Sequence, residues 1–321
     1  MEEYKMRTRV LALILCLVFA LSAFSACAKP QKTPATPDTP DAPNIPDEPT
    51  VPEEPEIKDP LFTADTLPRL DGSTATIPLS EGWVSDLLGY TAEQAQDFVH
   101  HNTTHNAYVN LIEGKCDIIF VTPPSADELK MLEDAEENYK VVRVVKDAFV
   151  FLVNDQNPLT DLSLEDIKSI YRGTITNWSQ VGGENVDIIP YQRPDNSGSQ
   201  TLMYKMVLPD GEIMDAPTSL KPGEMGDLVD AVSDYTTGKG AIGYSVYYYA
   251  SGMYVQEGSK LISVNGVCPT NETIANDTYP LIEGYYAVYR EGDTNVEKLL
   301  DYILSENGQA IAERSGYVPL S

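Results

Sequence analysis

One arginine and a Ser-Gly-Ser triplet stand close together in the stretch YQRPDNSGSQT, residues 191–201. Arg193 offers a planar fork of N–H donors, Ser197 and Ser199 offer hydroxyl donors, and Gly198 lets a ligand approach the backbone N–H groups. A helix that starts at this point adds unpaired N–H groups and a partial positive charge. The stretch therefore predicts a binding site for an oxyanion.

Two other stretches have the composition of an anion-binding turn between a strand and a helix. The first, LDGSTATIP at 70–78, places a glycine and hydroxyl residues up to Thr76 after a predicted strand. The second, HNTTHNAYVNLIEG at 101–114, places Thr104 ahead of a predicted helix. Serine and threonine also cap helices that bind nothing. Three such turns in one chain, one of them with an arginine, favour a shared anion site.

Short apolar runs alternate with helical patterns through much of the chain. One helix is predicted at 162–173, where Ser163 is the capping residue and Gly173 can end the helix. Alternation of strands and helices is typical of α/β folds and predicts largely parallel sheets. The predicted strands are 116–122, 148–154, 186–191 and 241–249.

Residues 1–27 have the order of a secretory signal sequence. Lys5, Arg7 and Arg9 precede an apolar run, and small residues follow it up to Cys27. The apolar stretch is short for a membrane-spanning helix, and no basic cluster follows it. We therefore expect the chain to be exported.

Residues 28–60 are rich in proline, threonine and acidic residues and contain no glycine. Proline recurs at every third position from Pro34 to Pro55, which is the period of a polyproline II helix. This pattern predicts an extended tether that holds a folded domain off a membrane surface. A dispensable tail is the alternative.

The chain is strongly acidic, with 22 basic residues, 49 acidic residues and a formal net charge of −27. Such a charge excludes nucleic acid as an expected partner. It does not exclude a small anion, because local N–H dipoles and one or two cations can hold a small anion whatever the net charge.

Catalysis and metal binding have little support in the sequence. His100, His101 and His105 lie close together, but a serine-based triad needs a positioned base, and no Gly-x-Ser-x-Gly elbow is present. His101 and His105 have the spacing of metal ligands on a helix, yet no third ligand stands out. We expect no enzyme activity, no metal and no cofactor.

Tyrosines and cysteines leave alternatives open. The chain has 19 tyrosines against 7 phenylalanines, three of the tyrosines in a row at 247–249, which is compatible with a sugar-binding or adhesive surface. Tyrosine is also a strand former, which favours a structural role. Beyond the signal sequence the cysteines are Cys116 and Cys268. We predict two small buried thiols, with a disulfide as the alternative.

From about Leu67 to its C-terminus the sequence resembles the phosphate-binding proteins of bacterial phosphate ABC transporters. Four motifs together carry the resemblance: DGSTATIP, LSLEDIKSIYRGTITNWSQVGG at 162–183, RPDNSGSQ, and GAIGYSVYYYA at 240–250. FSAC at 24–27 is similar to the lipobox of bacterial lipoproteins, in which the cysteine, here Cys27, is lipidated.

The resemblance implies a periplasmic-binding-protein-like α/β fold, in which two lobes joined by a hinge close over a bare oxyanion. Lobe one would comprise residues 61–147 and 245–321, and lobe two residues 148–244. The chain would be an extracytoplasmic, lipid-anchored solute-binding protein that delivers phosphate to an ABC permease.

The resemblance also implies which residues bind the anion, with one departure. Members of the family commonly have a carboxylate that accepts the proton of phosphate and repels sulfate, and this chain has Thr122 at that position. Asp71 and His105 are the candidate acceptors in its place, and a sulfate-type oxyanion is the alternative ligand. The predicted anion-binding residues are Thr76, Ile77, Thr104, Thr122, Arg193, Ser197, Gly198 and Ser199.

Overall fold

The computed structural model describes residues 60–236 and 238–320. The predicted signal sequence, Cys27 and the tether up to residue 59 lie outside the described residues. Within the described ranges, none of the helices is long and apolar enough to cross a membrane.

The described part of the chain alternates strands with helices, and the predicted α/β fold is confirmed. The strands are β1 (Leu70–Gly72), β2 (Ile118–Val121), β3 (Tyr139–Asn154), β4 (Asp161–Leu162), β5 (Ile189–Pro190), β6 (Ala241–Val246), β7 (Ser259–Leu261), β8 (Ser263–Val264) and β9 (Ile282–Arg290). The helices are α1 (Ile77–Leu88), α2 (Ala92–Ala95), α3 (Thr104–Ile112), α4 (Ala126–Asp134), α5 (Leu164–Tyr171), α6 (Gly198–Leu202), α7 (Met225–Ser233), α8 (Asn271–Ala275), α9 (Thr294–Leu304) and α10 (Glu306–Arg314).

Seven strands form one mixed sheet in the order β1-β2-β9-β3-β6-β5, with β7 also paired to β3. β1 is parallel to β2, and β5 is parallel to β6. β3 is antiparallel to β9, β6 and β7, and β2 is antiparallel to β9. The prediction of largely parallel sheets is therefore wrong at the centre. Strands buried on both faces have the same apolar pattern whichever way their neighbours run, so composition could not give the direction.

β3 connects two halves of this sheet. Its residues 139–148 pair with β9, and its residues 149–153 pair with β6. We call β1, β2, β9 and the first part of β3 the first half-sheet, and the last part of β3 with β5, β6 and β7 the second half-sheet. The predicted lobe boundary between residues 147 and 148 lies next to the change of partner; the division into lobes stays a prediction.

The helix predicted at 162–173 forms as α5, with the expected ends. Ser163 Oγ accepts a hydrogen bond from the backbone N–H of Asp166 at 3.0 Å, which satisfies one of the free donors of the first turn. Gly173 follows the helix with a φ of 75°, a left-handed conformation that glycine adopts without the Cβ clash of other residues.

Many of the tyrosines belong to the core. Tyr244, for example, is fully buried and packs against Phe149, Phe151 and Tyr171, with ring centroids 5.4, 6.3 and 5.6 Å away. Such rings cannot stack on a sugar at the surface. Other tyrosines with exposed fractions of 2% or less are Tyr108, Tyr171, Tyr279, Tyr285 and Tyr317.

The cysteines of the folded part are both free thiols. Cys116 is buried as predicted, and burial raises its pKa to about 12. Cys268 is exposed, so the prediction of a second buried thiol is wrong. Cys268 lies in the connection between β8 and α8, where the chain runs over the surface.

Candidate anion-binding site

A cavity of about 330 Å³ is lined by segments from both half-sheets. Ser73 directly follows β1 and Thr122 directly follows β2, while Arg193 comes three residues after β5 ends at Pro190. The carboxyl ends of parallel strands are the usual place for ligands in α/β sheets. Six of the eight predicted site residues line the cavity: Thr104, Thr122, Arg193, Ser197, Gly198 and Ser199.

Two groups of residues face each other across this cavity. The threonine side, from the first half-sheet, consists of the turn at 73–75, the start of α3 at 103–106, and Thr122. The arginine side, from the second half-sheet, consists of the loop at 193–199 and residues 223–225 ahead of and at the start of α7.

The Arg193 side chain is buried and held in place by backbone carbonyl groups. Its Nε donates to the Pro222 oxygen at 3.1 Å, its Nη2 donates to the Gly223 oxygen at 2.7 Å, and its Nη1 lies 3.4 Å from Sδ of Met225. A guanidinium has five N–H donors, so at least two remain without an acceptor in this arrangement.

Arg193 has no carboxylate within 4.0 Å among the residues that the structure describes, although only 7% of its surface is exposed. Burial is the main cause that lowers its pKa, and Glu224 and Asp227 act in the opposite direction from further away. A buried, unpaired cation is costly. Its presence in a cavity indicates that an anion belongs beside it.

Three serine and threonine hydroxyl groups around the cavity are buried without a hydrogen-bond partner among the described residues. They are Oγ of Ser73, Oγ1 of Thr122 and Oγ of Ser199. Buried polar groups in folded proteins nearly always have a partner, so each such group needs an explanation. Their common position around one cavity indicates a polar ligand that contacts both sides.

The start of α3 adds backbone donors to the threonine side. Thr103 has a φ of 71° and its side chain makes no capping hydrogen bond. The first N–H groups of an α-helix have no acceptor within the helix. Because α3 begins at Thr104 against the cavity, these N–H groups and the positive end of the helix dipole favour an anion there.

Gly198 is the point at which the two sides touch. A Cβ atom added to Gly198 would lie 2.5 Å from Oγ1 of Thr122 and 2.9 Å from Oγ1 of Thr104. Both distances are shorter than real Cβ contacts, so a side chain here would push the two sides apart. Asn196 adds a second link between the two halves, since its Nδ2 donates to Oδ2 of Asp127, in the first turn of α4, at 3.0 Å.

Thr76 and Ile77 are the two predicted site residues that do not line the cavity. The Thr76 hydroxyl donates instead to a backbone carbonyl, with the Phe120 oxygen at 2.8 Å. Ile77 packs against the core at the start of α1. The short 3₁₀ turn Thr74–Thr76 shifts the contact with the cavity to Ser73, Thr74 and Ala75.

Of the two candidate acceptors for the phosphate proton, Asp71 and His105, one lies at the cavity and the other does not. Asp71 does not line the cavity; its carboxylate accepts the N–H groups of Gly72 and Asn102 and the side-chain amides of Asn102 and Asn110, at 2.7 to 2.9 Å. His105 lines the cavity, and its Nδ1 lies 3.2 Å from Oε1 of Glu128.

His101 is a supporting residue that the sequence did not reveal. Its ring is buried, and burial lowers its pKa to about 4. Nδ1 lies 2.9 Å from the Ser73 carbonyl oxygen, so Nδ1 carries the hydrogen and donates it, and the ring holds the turn that reaches the cavity. Among the described residues, no cluster of three or more metal-ligating side chains is found.

Comparisons with known proteins agree with this geometry. A model of the PBP superfamily domain matches residues 66–307. The phosphate-binding protein PstS of Staphylococcus aureus strain USA300 is 28% identical over 265 residues, which cover 77% of this chain and 76% of that protein. PstS of Bacillus subtilis strain 168 is 30% identical over 172 residues, which cover 53% of this chain and 54% of that protein.

A solved structure shows the same fold. The ABC-type phosphate transport receptor from Vibrio cholerae superposes with a TM-score of 0.58 at 22% identity, over 78% of this chain and 98% of that one. At such identity the likeness concerns the fold alone. It confirms the predicted periplasmic-binding-protein-like fold.

Proposed function

The chain belongs to the PBP superfamily, and on that premise we propose that it captures inorganic phosphate between the arginine side and the threonine side of the cavity. The observation that carries the proposal is the buried Arg193 guanidinium, which lacks a carboxylate partner among the described residues. A tetrahedral oxyanion can accept hydrogen bonds from this fork and from the unpaired hydroxyls at the same time. The name of the relatives, phosphate-binding protein PstS, supports phosphate as that oxyanion.

An anion accounts for the cavity better than a sugar does. Recognition of a sugar by stacking needs an open aromatic face. The tyrosines of the cavity are engaged with other tyrosines: Tyr249 stacks on Tyr254 with ring centroids 5.6 Å apart, and Tyr285 packs edge-on against Tyr317 at 6.0 Å. The unpaired donors, in contrast, match what an oxyanion requires.

The proposal includes closure of two lobes with boundaries at 147/148 and 244/245. The change of pairing partner along β3 supports the first boundary, because a strand that leaves one half-sheet and enters another can bend between them. A ligand that contacts both sides favours the closed arrangement, in which Gly198 meets the threonine side.

We further propose that the protein acts outside the cytoplasm, anchored by a lipid on Cys27, and delivers phosphate to an ABC permease without any catalytic step. The signal-like order of residues 1–27 and the proline-rich tether support this location. Mass spectrometry of the membrane fraction tests it, because a lipid-modified Cys27 at the N-terminus is expected.

Isothermal titration of the secreted protein, with Cys27 replaced by serine and ligand removed by unfolding and refolding, tests phosphate capture. We expect phosphate to bind, and Arg193→Ala to weaken binding by about 100-fold, because hydrogen bonds to charged groups contribute about 1.5 to 3 kcal/mol each. Arg172→Ala is the matched control, since Arg172 lies outside the cavity and pairs with Asp210 and Glu212. A wild type that ignores phosphate, or an Arg193→Ala variant that binds normally, would contradict the proposal.

A further inference from the structure

A histidine and a buried glutamate stand together at the threonine side of the cavity. Nδ1 of His105 lies 3.2 Å from Oε1 of Glu128, whose side chain is fully buried. Oε2 of Glu128 accepts the backbone N–H of Ser125 at 2.8 Å, as part of the cap of α4. His105 is the only basic side chain within 4.0 Å of the Glu128 carboxylate among the residues that the structure describes.

This contact decides which ring nitrogen can meet a ligand. Nδ1 of His105 is placed to donate a hydrogen bond to the Glu128 side chain, which also accepts the N–H of Ser125. In the neutral ring Nε2 is then an acceptor. Nε2 makes no hydrogen bond to any described residue, and His105 lines the cavity. The pair therefore offers a lone pair without a hydrogen in a site lined mainly by groups that can donate.

An acceptor at this place distinguishes two anions of similar shape. Inorganic phosphate keeps at least one proton near neutral pH, whereas sulfate keeps none. A lone pair that meets a P–O–H group gains a hydrogen bond, and the same lone pair repels an oxygen of sulfate. The Thr122 hydroxyl cannot exclude sulfate in this way, because it can donate to either anion.

We propose that His105, oriented by Glu128, accepts the hydrogen bond of the protonated phosphate oxygen and so selects phosphate over sulfate. The inference rests on the proposed function of the cavity. Asp71 does not compete for this role, since its two oxygens already accept four hydrogen bonds outside the cavity. The remaining carboxylates of the lining, Asp195 and Glu224, are exposed at its mouth.

Titrations of the secreted protein with phosphate and, separately, with sulfate test the inference. His105→Lys keeps a cationic partner for Glu128 but can only donate. We expect the phosphate-to-sulfate affinity ratio to fall by about tenfold or more, through stronger sulfate binding, as one repulsive contact becomes attractive. His105→Phe, which keeps a flat ring without a lone pair, should also lower the ratio, through weaker phosphate binding.

Glu128→Gln tests the positioning role, because its amide can either accept from Nδ1 or donate to it and so no longer fixes which ring nitrogen of His105 carries the hydrogen. We expect the ratio to fall by about threefold while phosphate still binds, and Glu128→Asp should restore part of it. Loss of fold stability alone would weaken both anions together and leave the ratio unchanged. Asp195→Asn and Glu224→Gln test the two carboxylates at the mouth of the cavity as rival acceptors. If His105 is the acceptor, neither change should lower the ratio as far as His105→Lys does.

The outcomes separate this inference from the proposed function. A wild type that binds neither anion contradicts both. A wild type that prefers phosphate, together with His105→Lys and His105→Phe variants that keep the wild-type ratio, contradicts the inference alone. A ratio that falls in Asp195→Asn or Glu224→Gln as far as in His105→Lys also contradicts it, because the acceptor would then lie at the mouth.

Discussion

The arginine side and the threonine side of the cavity are built in opposite ways. On the arginine side, the backbone N–H of Arg193 donates to the Tyr244 hydroxyl at 2.8 Å and its guanidinium is bound by two carbonyl groups. On the threonine side, the hydroxyls of Ser73 and Thr122 have no partner among the described residues. One side thus presents a cation whose position is fixed before a ligand arrives, and the other presents neutral hydroxyls, while both sides keep donors that a ligand can satisfy.

Because of this difference, we expect the two sides to contribute differently to affinity and to selectivity. A fixed cation attracts any small anion, because it needs no rearrangement to present its donors. Neutral donors and the His105 acceptor discriminate by shape and by the position of protons. Affinity should therefore depend mainly on the arginine side, and selectivity together with closure on the threonine side.

Acid should disturb the threonine side through His101, with the largest effect that we expect on stability. Burial lowers the pKa of His101 to about 4 in the folded protein, from 6.5 in an unfolded chain. Between these values the unfolded chain binds a proton that the folded protein does not. The contribution of His101 to the free energy of unfolding is therefore complete above pH 6.5 and falls by about 3 kcal/mol as the pH drops to 4.

Asp147 has the opposite effect on the pH dependence of stability, so the experiment must separate its contribution from that of His101. Burial raises its pKa to about 6 from 3.8, so its contribution is complete below pH 3.8 and is lost as the pH rises through 6. Urea unfolding of the wild type and of His101→Gln at pH 7 and pH 4 isolates the histidine, because both proteins contain Asp147. Wild type should lose about 3 kcal/mol more than the variant on acidification; equal losses would show that His101 is not held neutral.

Gly198 tests whether the two sides must touch when the ligand is bound. Gly198→Ala places a Cβ where the hydroxyls of Thr122 and Thr104 lie 2.5 and 2.9 Å away. Overpacking of this kind costs about 1 to 3 kcal/mol, and we expect phosphate affinity in isothermal titration to fall by about tenfold. Gly223→Ala is the matched control, since an added Cβ there meets nothing within 4 Å although Gly223 also lines the cavity.

The contact is the cause if a second change relieves it. Thr122→Ala removes the nearest hydroxyl, so Gly198→Ala should weaken phosphate binding less when it is measured against Thr122→Ala than when it is measured against the wild type. Normal affinity in Gly198→Ala would instead mean that the loop at 193–199 and the threonine side stay apart around the ligand.

The same contrast explains how much of the site the sequence could predict. Arg193, Ser197, Gly198 and Ser199 are nearly consecutive, so their combined chemistry is visible in one motif. The threonine side is assembled from three separate segments, and its register depends on the short turn Thr74–Thr76. A motif could place that turn near the anion, but it could not decide whether Ser73 or Thr76 faces the cavity.

The strands, like the site residues, could be predicted from the sequence only in part. Apolar runs predicted β2 and the second part of β3, because a buried strand needs such residues on both faces. The first part of β3, from Tyr139, carries Lys140 and Arg143 among its valines, so it lacks the unbroken apolar run that predicts a buried strand. Its pairing with β9 is a contact between distant parts of the chain, which no local pattern specifies.

Single hydroxyls provide the smallest and most direct comparison of the two sides. Ser73→Ala and Ser199→Ala each remove one unpaired donor, and we expect each to weaken phosphate binding by about five- to tenfold, since a hydrogen bond contributes about 1 to 1.5 kcal/mol. Ser80→Ala is the control, because Oγ of Ser80 is also buried without a partner but lies outside the cavity. It should leave binding unchanged and should not lower the free energy of unfolding.

Combining each change with Arg193→Ala then asks whether the arginine side acts as one unit. Ser199 follows Arg193 in the same loop, so the loss of the arginine should disorder the position of Ser199 and make the two effects less than additive. Ser73 belongs to the opposite side, and its effect should add to that of Arg193→Ala within about 0.5 kcal/mol. Equal coupling for both serines in isothermal titration would contradict the distinction between a fixed arginine side and a separate threonine side, because a site that closes as one body would couple them alike.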